Sequence, residues 1–148
     1  MENPEIPDFD KGYVIFLIAA REYAISVKTL YSIINPQEAP SLENTINIGK
    51  DSLFLDNFEI PFINLYDLYN TPSAIQSNDT RIIIIQWDDH KAAFYVDKVV
   101  EFISLNLNNP GPVEFIPVSN EPLVNGKIFY NERSILIPDL DKILSVTS

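Results

Sequence analysis

Arg81-Ile-Ile-Ile-Ile-Gln-Trp87, Asp88-Asp-His-Lys91 and Ala92-Ala-Phe-Tyr-Val96 follow one another directly, and their reading decides the fold. An apolar β-branched run, a polar tetrad and a second apolar run spell two strands joined by a tight turn. The same device stands earlier in the chain. Tyr13-Val-Ile-Phe-Leu-Ile18 leads through Ala-Ala-Arg-Glu into Tyr23-Ala-Ile-Ser-Val27, so that Val27 matches Val96 at an offset of 69. Asp97-Lys-Val-Val-Glu-Phe-Ile103 then reproduces Lys28-Thr-Leu-Tyr-Ser-Ile-Ile34, a segment that fits one helical turn or a twisted strand equally well and that Pro36 stops.

Outward from these pairs the repetition continues. Leu53-Phe-Leu-Asp-Asn-Phe-Glu-Ile60 matches Ile128-Phe-Tyr-Asn-Glu-Arg-Ser-Ile135, and Asn64-Leu65 matches Asp139-Leu140, both now at an offset of 75. The added six residues fall in a proline-bearing loop from Asn106 to Pro122. Another loop is expected around Pro36, Pro40, Ser41 and Asn44. Asp56-Asn57 suits a two-residue hairpin turn, and Pro61, which lacks an N–H, belongs at an edge or a strand end. A repeated set of strands ending in a short helix is the pattern of two small barrels. The expected fold is therefore all-β with short helices. A flexible tail covers residues 1–12, a first lobe runs over about 13–70, a linker over 71–79 and a second lobe over about 80–148. Asp139 and Asp141 follow Pro138 at the expected start of a final helix, where carboxylates satisfy unpaired N–H groups.

Composition narrows the function. The 148 residues carry 10 Lys and Arg against 21 Asp and Glu, a formal charge of −11, with 46% hydrophobic residues. This is a globular composition that repels phosphate backbones and anionic membranes, so nucleic-acid binding is disfavoured. No cysteine is present and His90 is the single histidine, which leaves little material for a metal cage or a Ser-His triad. The four glycines are scattered, unlike those of phosphate-cradling loops. No apolar run approaches the roughly 20 residues that span a bilayer, and the acidic start does not read as a signal peptide. A soluble cytoplasmic protein without catalytic residues, cofactor or metal is expected.

Tyr13 to Ile25, Ile60-Pro-Phe-Ile-Asn-Leu65, Val96-Asp-Lys-Val99 with Ile103-Ser-Leu105, and Ile135-Leu-Ile-Pro-Asp-Leu140 together resemble the CheW-like domain of bacterial chemotaxis adaptors. The likeness runs from about Tyr13 to Leu144. It implies two SH3-like five-stranded β-barrels packed together and a non-catalytic role, coupling chemoreceptors to the regulatory domain of the histidine kinase CheA. It also implies that a receptor's helical tip lies in an apolar groove between lobes, which Leu30, Ile33 and Val99 would help line. Core packing is the plain alternative for these three aliphatics. Phe58 and Phe102 are further candidates for a partner surface, with the same alternative.

One stretch departs from the resemblance. Where the family carries Gly-x-x-Asn-Leu-Arg-Gly, this chain has Asp51-Ser-Leu-Phe-Leu-Asp-Asn57. Asp56 in place of the Arg reverses a charge and replaces a five-donor fork by an acceptor, which puts the usual receptor contact in doubt. A scaffold in another kinase pathway, such as surface motility, is the alternative within the binding class. From a different class, Asp97 with Asp139 could serve a two-carboxylate hydrolase if the two converge within about 10 Å. Asp88 and Asp89 read as exposed turn formers, and Trp87 as a half-buried strand end.

Overall fold

The computed structural model describes residues 12–38, 46–55, 58–72, 76–103, 114–117, 123–130 and 132–147. In chain order it contains β1 (Tyr13–Ile18), β2 (Arg21–Ser26), β3 (Leu30–Ile34), β4 (Ile46–Ile48), β5 (Ser52–Leu55), β6 (Phe58–Pro61) and α1 (Leu65–Leu68). Then follow β7 (Arg81–Trp87), β8 (His90–Val96), β9 (Lys98–Ile103), β10 (Glu114–Pro117), β11 (Val124–Tyr130), β12 (Arg133–Pro138) and α2 (Leu140–Thr147). Among the described residues the protein is mostly strand with two short helices, as expected, and its strands form two SH3-like barrel units.

The units are not consecutive in sequence. The first comprises Met1–Lys28 with Val100–Ser148, the second Thr29–Val99. In the first, one sheet runs in the order β10-β11-β12-β2-β1-β9, and β12 lies parallel to β2. In the second, β3-β7-β8 and β4-β5-β6 form two sheets, joined where Phe62 bridges Ala93 and the Ile63 N–H donates to the Ala93 carbonyl at 2.8 Å.

The two cores match position by position. Tyr13, Ile15, Ala24, Ile103, Ile128 and Ile135 form the first, and Ile82, Ile84, Ala93, Ile34, Leu53 and Ile60 the second. Each member sits 69 or 75 residues from its counterpart, the two offsets of the repeat. Each core draws its first hairpin from one copy and its remaining strands from the other. The lobes anticipated at 13–70 and 80–148 therefore do not coincide with the compact units.

β7 shows what the exchanged strand supplies. Ile82 to Ile85 are all buried, so both faces and both edges of this strand need cover. β8 supplies one edge, and β3 supplies the other through Ile34 opposite Ile82 and Leu30 opposite Ile85. The Gln86 N–H extends this ladder to the Thr29 carbonyl at 2.8 Å. Lys28–Ile34 is thus mostly strand, and no helical turn forms there. The proline-bearing loop expected from Asn106 to Pro122 contains a strand, β10, which pairs with β11, and β4 follows the earlier loop and pairs with β5. Six strands serve each unit among the described residues, one more than expected, with β9 running across the boundary.

Turns are tighter than the sequence suggested. Ile18 pairs with Arg21, leaving Ala19 and Ala20 alone in the turn with φ of 51° and 69°. That is the geometry of a two-residue hairpin turn that matches strand twist, normally given to Asn and Gly. Trp87 pairs with His90, so Asp88 and Asp89 make the second turn and are exposed, while His90 and Lys91 open β8. Trp87 is half-buried, its ring 5.6 Å from that of His90. Leu55 pairs with Phe58, and Pro61 ends β6. The matched Asn64 and Asp139 have one task, since each side chain accepts the N–H three residues on, at 3.1 Å from Asp67 and 3.2 Å from Lys142.

Candidate functional site

β3 places Leu30 and Ile33 in the second unit, both half-buried and opposite Ile85 and Ile83. Val99, half-buried on β9, belongs to the same unit. Asp56 lies outside the described residues. Phe58 stands on β6 with 63% of its surface exposed, and Phe102, 57% exposed, belongs to the first unit. The structure thus separates Phe102 from the other candidates by unit.

Phe58 has company that the sequence reading did not single out. Tyr31 is the extra residue where the register of β3 against β7 shifts between Leu30 and Ser32, and it is 46% exposed. The Lys91 ammonium sits 4.8 Å from the Tyr31 ring centre and 5.3 Å from that of Phe58. A cation held over aromatic faces at an exposed site contributes roughly 0.5–1 kcal/mol per contact. Phe54, 44% exposed on β5, adds to the uncovered aromatic surface of this unit. Nothing local in Lys28–Ile34 announces this irregularity, so the sequence reading did not single out Tyr31.

The repeat offers an internal comparison. The counterparts of Phe58, Lys91 and Ser32 in the first unit are Arg133, Glu22 and Glu101. There Arg133 Nε and Nη2 donate to Glu22 Oε1 at 3.0 and 2.9 Å, and Nη1 donates to Glu101 Oε2 at 2.6 Å. The hydrogen bonds it donates to Glu101 and then to Glu22 hold the guanidinium above its ordinary pKa, against the opposing effect of burial. One barrel rim is closed by a salt-bridged triad, whereas the corresponding rim of the other presents rings and a lysine.

Elsewhere in the second unit a cleft of about 440 Å3 opens beside the stacked rings of Phe62 and Tyr95, whose centres are 5.2 Å apart, with Lys50 and Asp51 on its lining. Burial raises the Tyr95 phenol above its usual pKa. Tyr66, buried on α1, donates its hydroxyl to Asp97 Oδ1 at 2.5 Å. Burial first, and then the Asp97 hydrogen bond and charge, push the Tyr66 phenol well above the ordinary tyrosine range.

Asp97 thus receives the Tyr66 hydroxyl in the second unit, while Asp139 caps α2 in the first. Both carboxylates have structural tasks. Among the described residues no group of three or more metal-ligating side chains converges, and no helix is long and apolar enough to cross a membrane.

Comparison with known proteins adds to this geometry. The profile of the CheW-like domain family matches residues 12–148. A chemotaxis protein CheW of Helicobacter pylori (strain ATCC 700392 / 26695) is 26% identical over 143 residues, which span 97% of this chain and 84% of that protein. The crystal structure of the scaffolding protein TtCheW from Thermoanaerobacter tengcongensis superposes with a TM-score of 0.66 at 24% identity, over 87% of this chain and 88% of that one, a likeness of fold.

Proposed function

Because the chain belongs to the CheW-like domain family, we propose that it is a non-catalytic chemotaxis adaptor that couples chemoreceptors to the regulatory domain of a CheA-type histidine kinase in the cytoplasm. The observation that carries this reading is the family match over residues 12–148, reinforced by two barrel cores of equivalent composition. Such a protein acts by holding partners in fixed relative positions. It changes kinase output only if it binds the kinase-on and kinase-off arrangements with different affinity. Phe58 and Tyr31, exposed around Lys91, supply the aromatic anchors that interfaces favour, while Leu30, Ile33 and Val99 supply aliphatic surface. Phe102 offers a separate anchor on the first unit.

The Asp51 to Asn57 stretch favours a second reading, a scaffold that binds the kinase in another pathway, such as surface motility, and dispenses with the usual receptor tip. A pull-down with the isolated kinase regulatory domain and with receptor-tip fragments decides between the two. Binding to both supports the coupling role; binding to the kinase domain alone supports the second reading. Binding to neither overturns both. Phe58→Ala is expected to weaken kinase binding about tenfold or more, the effect of removing one interface anchor.

A further inference from the structure

The cleft beside the Phe62–Tyr95 ring stack has no part in the proposed partner surface, and every described residue on its lining belongs to the second unit. Its volume of about 440 Å3 is that of sites that enclose small molecules. Two backbone bonds and a helix build it. The Gly49 N–H donates to the Ser52 carbonyl at 2.9 Å, which closes the turn between β4 and β5 and sets Lys50 and Asp51 side by side. The Asp51 carbonyl accepts the Phe62 N–H at 3.0 Å, which ties this turn to the chain just beyond β6 and so to the ring stack. α1 then brings in Tyr66, only 4% exposed.

Part of this lining already has a task. Tyr66 donates to Asp97, and Asn64 caps α1. The exposed side chains of Lys50 and Asp51, by contrast, have no hydrogen-bond or ion-pair partner among the described residues. The barrel itself does not need them. At the matching positions of the first unit stand Asn125 and Gly126 in place of this charge pair, and Ile137 and Ser26 in place of Phe62 and Tyr95. From a ring stack flanked by one free cation and one free anion we infer that the cleft binds a free α-amino acid with an aromatic side chain. Its carboxylate meets Lys50, its ammonium meets Asp51, and its ring packs on Phe62 and Tyr95. Charge selects this occupant. Lys50 alone would favour an anion and Asp51 alone a cation, whereas the adjacent pair matches a molecule that carries both charges on one short backbone. Such a ligand is neutral as a whole, so the formal charge of −11 does not repel it as it repels a simple anion. The rings add contact energy beyond the area they bury. This inference does not rest on the adaptor reading.

The test is isothermal titration calorimetry of the full chain with L-phenylalanine, beside phenethylamine, hydrocinnamate and glycine, which lack the carboxylate, the ammonium and the ring in turn. L-phenylalanine is expected to bind about tenfold or more tightly than each of the other three. Lys50→Gln is expected to weaken L-phenylalanine about tenfold or more without weakening phenethylamine, which has no carboxylate to lose. Asp51→Asn is expected to weaken L-phenylalanine to the same degree without weakening hydrocinnamate, which has no ammonium. Both residues are exposed in a turn, so the urea midpoint should stay unchanged. Should Asp51→Asn lower it, the Lys50→Gln result decides alone. Lys91→Gln, outside the cleft, is expected to leave binding within twofold. No saturable binding of L-phenylalanine at millimolar concentration, equal binding of any of the other three ligands, or equal loss with Lys91→Gln overturns the inference. Variants that weaken all the ligands alike also overturn it, because that pattern reports a change of shape and not of charge.

Discussion

Tyr66→Phe isolates one buried hydrogen bond and gives it a pH signature. At pH 8 the variant loses the bond from the hydroxyl to Asp97. A bond to a charged acceptor contributes about 1.5–3 kcal/mol, and the lower end applies because Asp97 is half-exposed. The phenol is held above its ordinary pKa of 10.0 in the folded state, so the stability due to Tyr66 is fully present below pH 10 and falls as pH rises beyond it. At pH 11 the unfolded chain gains about 1.4 kcal/mol by ionising this tyrosine while the folded chain keeps it protonated. Phenylalanine has no such term. The stability difference between wild type and variant should therefore shrink from about 1.5 kcal/mol at pH 8 to nearly nothing at pH 11. Urea unfolding followed by far-ultraviolet circular dichroism at both pH values measures it. A difference that stays constant across this range means that folded Tyr66 ionises normally, and the account of its burial and its bond to Asp97 fails.

Other expectations follow from the cores and turns. Leu53, fully buried in the second core, should cost about 2–5 kcal/mol when cut to Ala, read as a lowered urea midpoint. Ala20→Gly should stabilise by about 0.5–1 kcal/mol, since φ of 69° strains an alanine by more than the freedom glycine adds to the unfolded chain; a lower melting temperature refutes this. Of two fragments, residues 29–99 should unfold cooperatively in urea, because they hold a complete unit, whereas residues 13–70 should show no cooperative transition.

Much of this was legible from the residues. The offsets of 69 and 75 identified the equivalent strands, and Leu53 opposite Ile60 recurs as Ile128 opposite Ile135 in both register and burial. What periodicity could not show is which copy's third strand lies beside which hairpin. Val27 to Ile34 and Val96 to Ile103 carry the same local signals, so pairing within a copy and pairing across copies look alike in sequence. The choice is made in tertiary packing, where β3 covers the open edge of β7 and β9 lies beside β1. Leu30, Ile33, Phe58, Val99 and Phe102 could be nominated as apolar, but Tyr31 is exposed at an irregularity of the β3–β7 register that depends on the partner strand. Lys91 was hidden because the polar tetrad reads as a turn, whereas Lys91 belongs to β8. The paired alanines at positive φ carried no turn signal at all, since alanine is uncommon there.

The exchange of strands between copies also sets an order of events during synthesis. Everything from Thr29 to Val99 can close once β8 and the start of β9 have left the ribosome, but the earlier hairpin, β1 with β2, must wait for β12 much further along the chain. The later-made stretch thus completes its unit first, against the usual order of folding during synthesis. Until β9 and β12 follow, the two edges of the β1–β2 hairpin lack their native neighbours, and it is this interval that chaperones would have to guard.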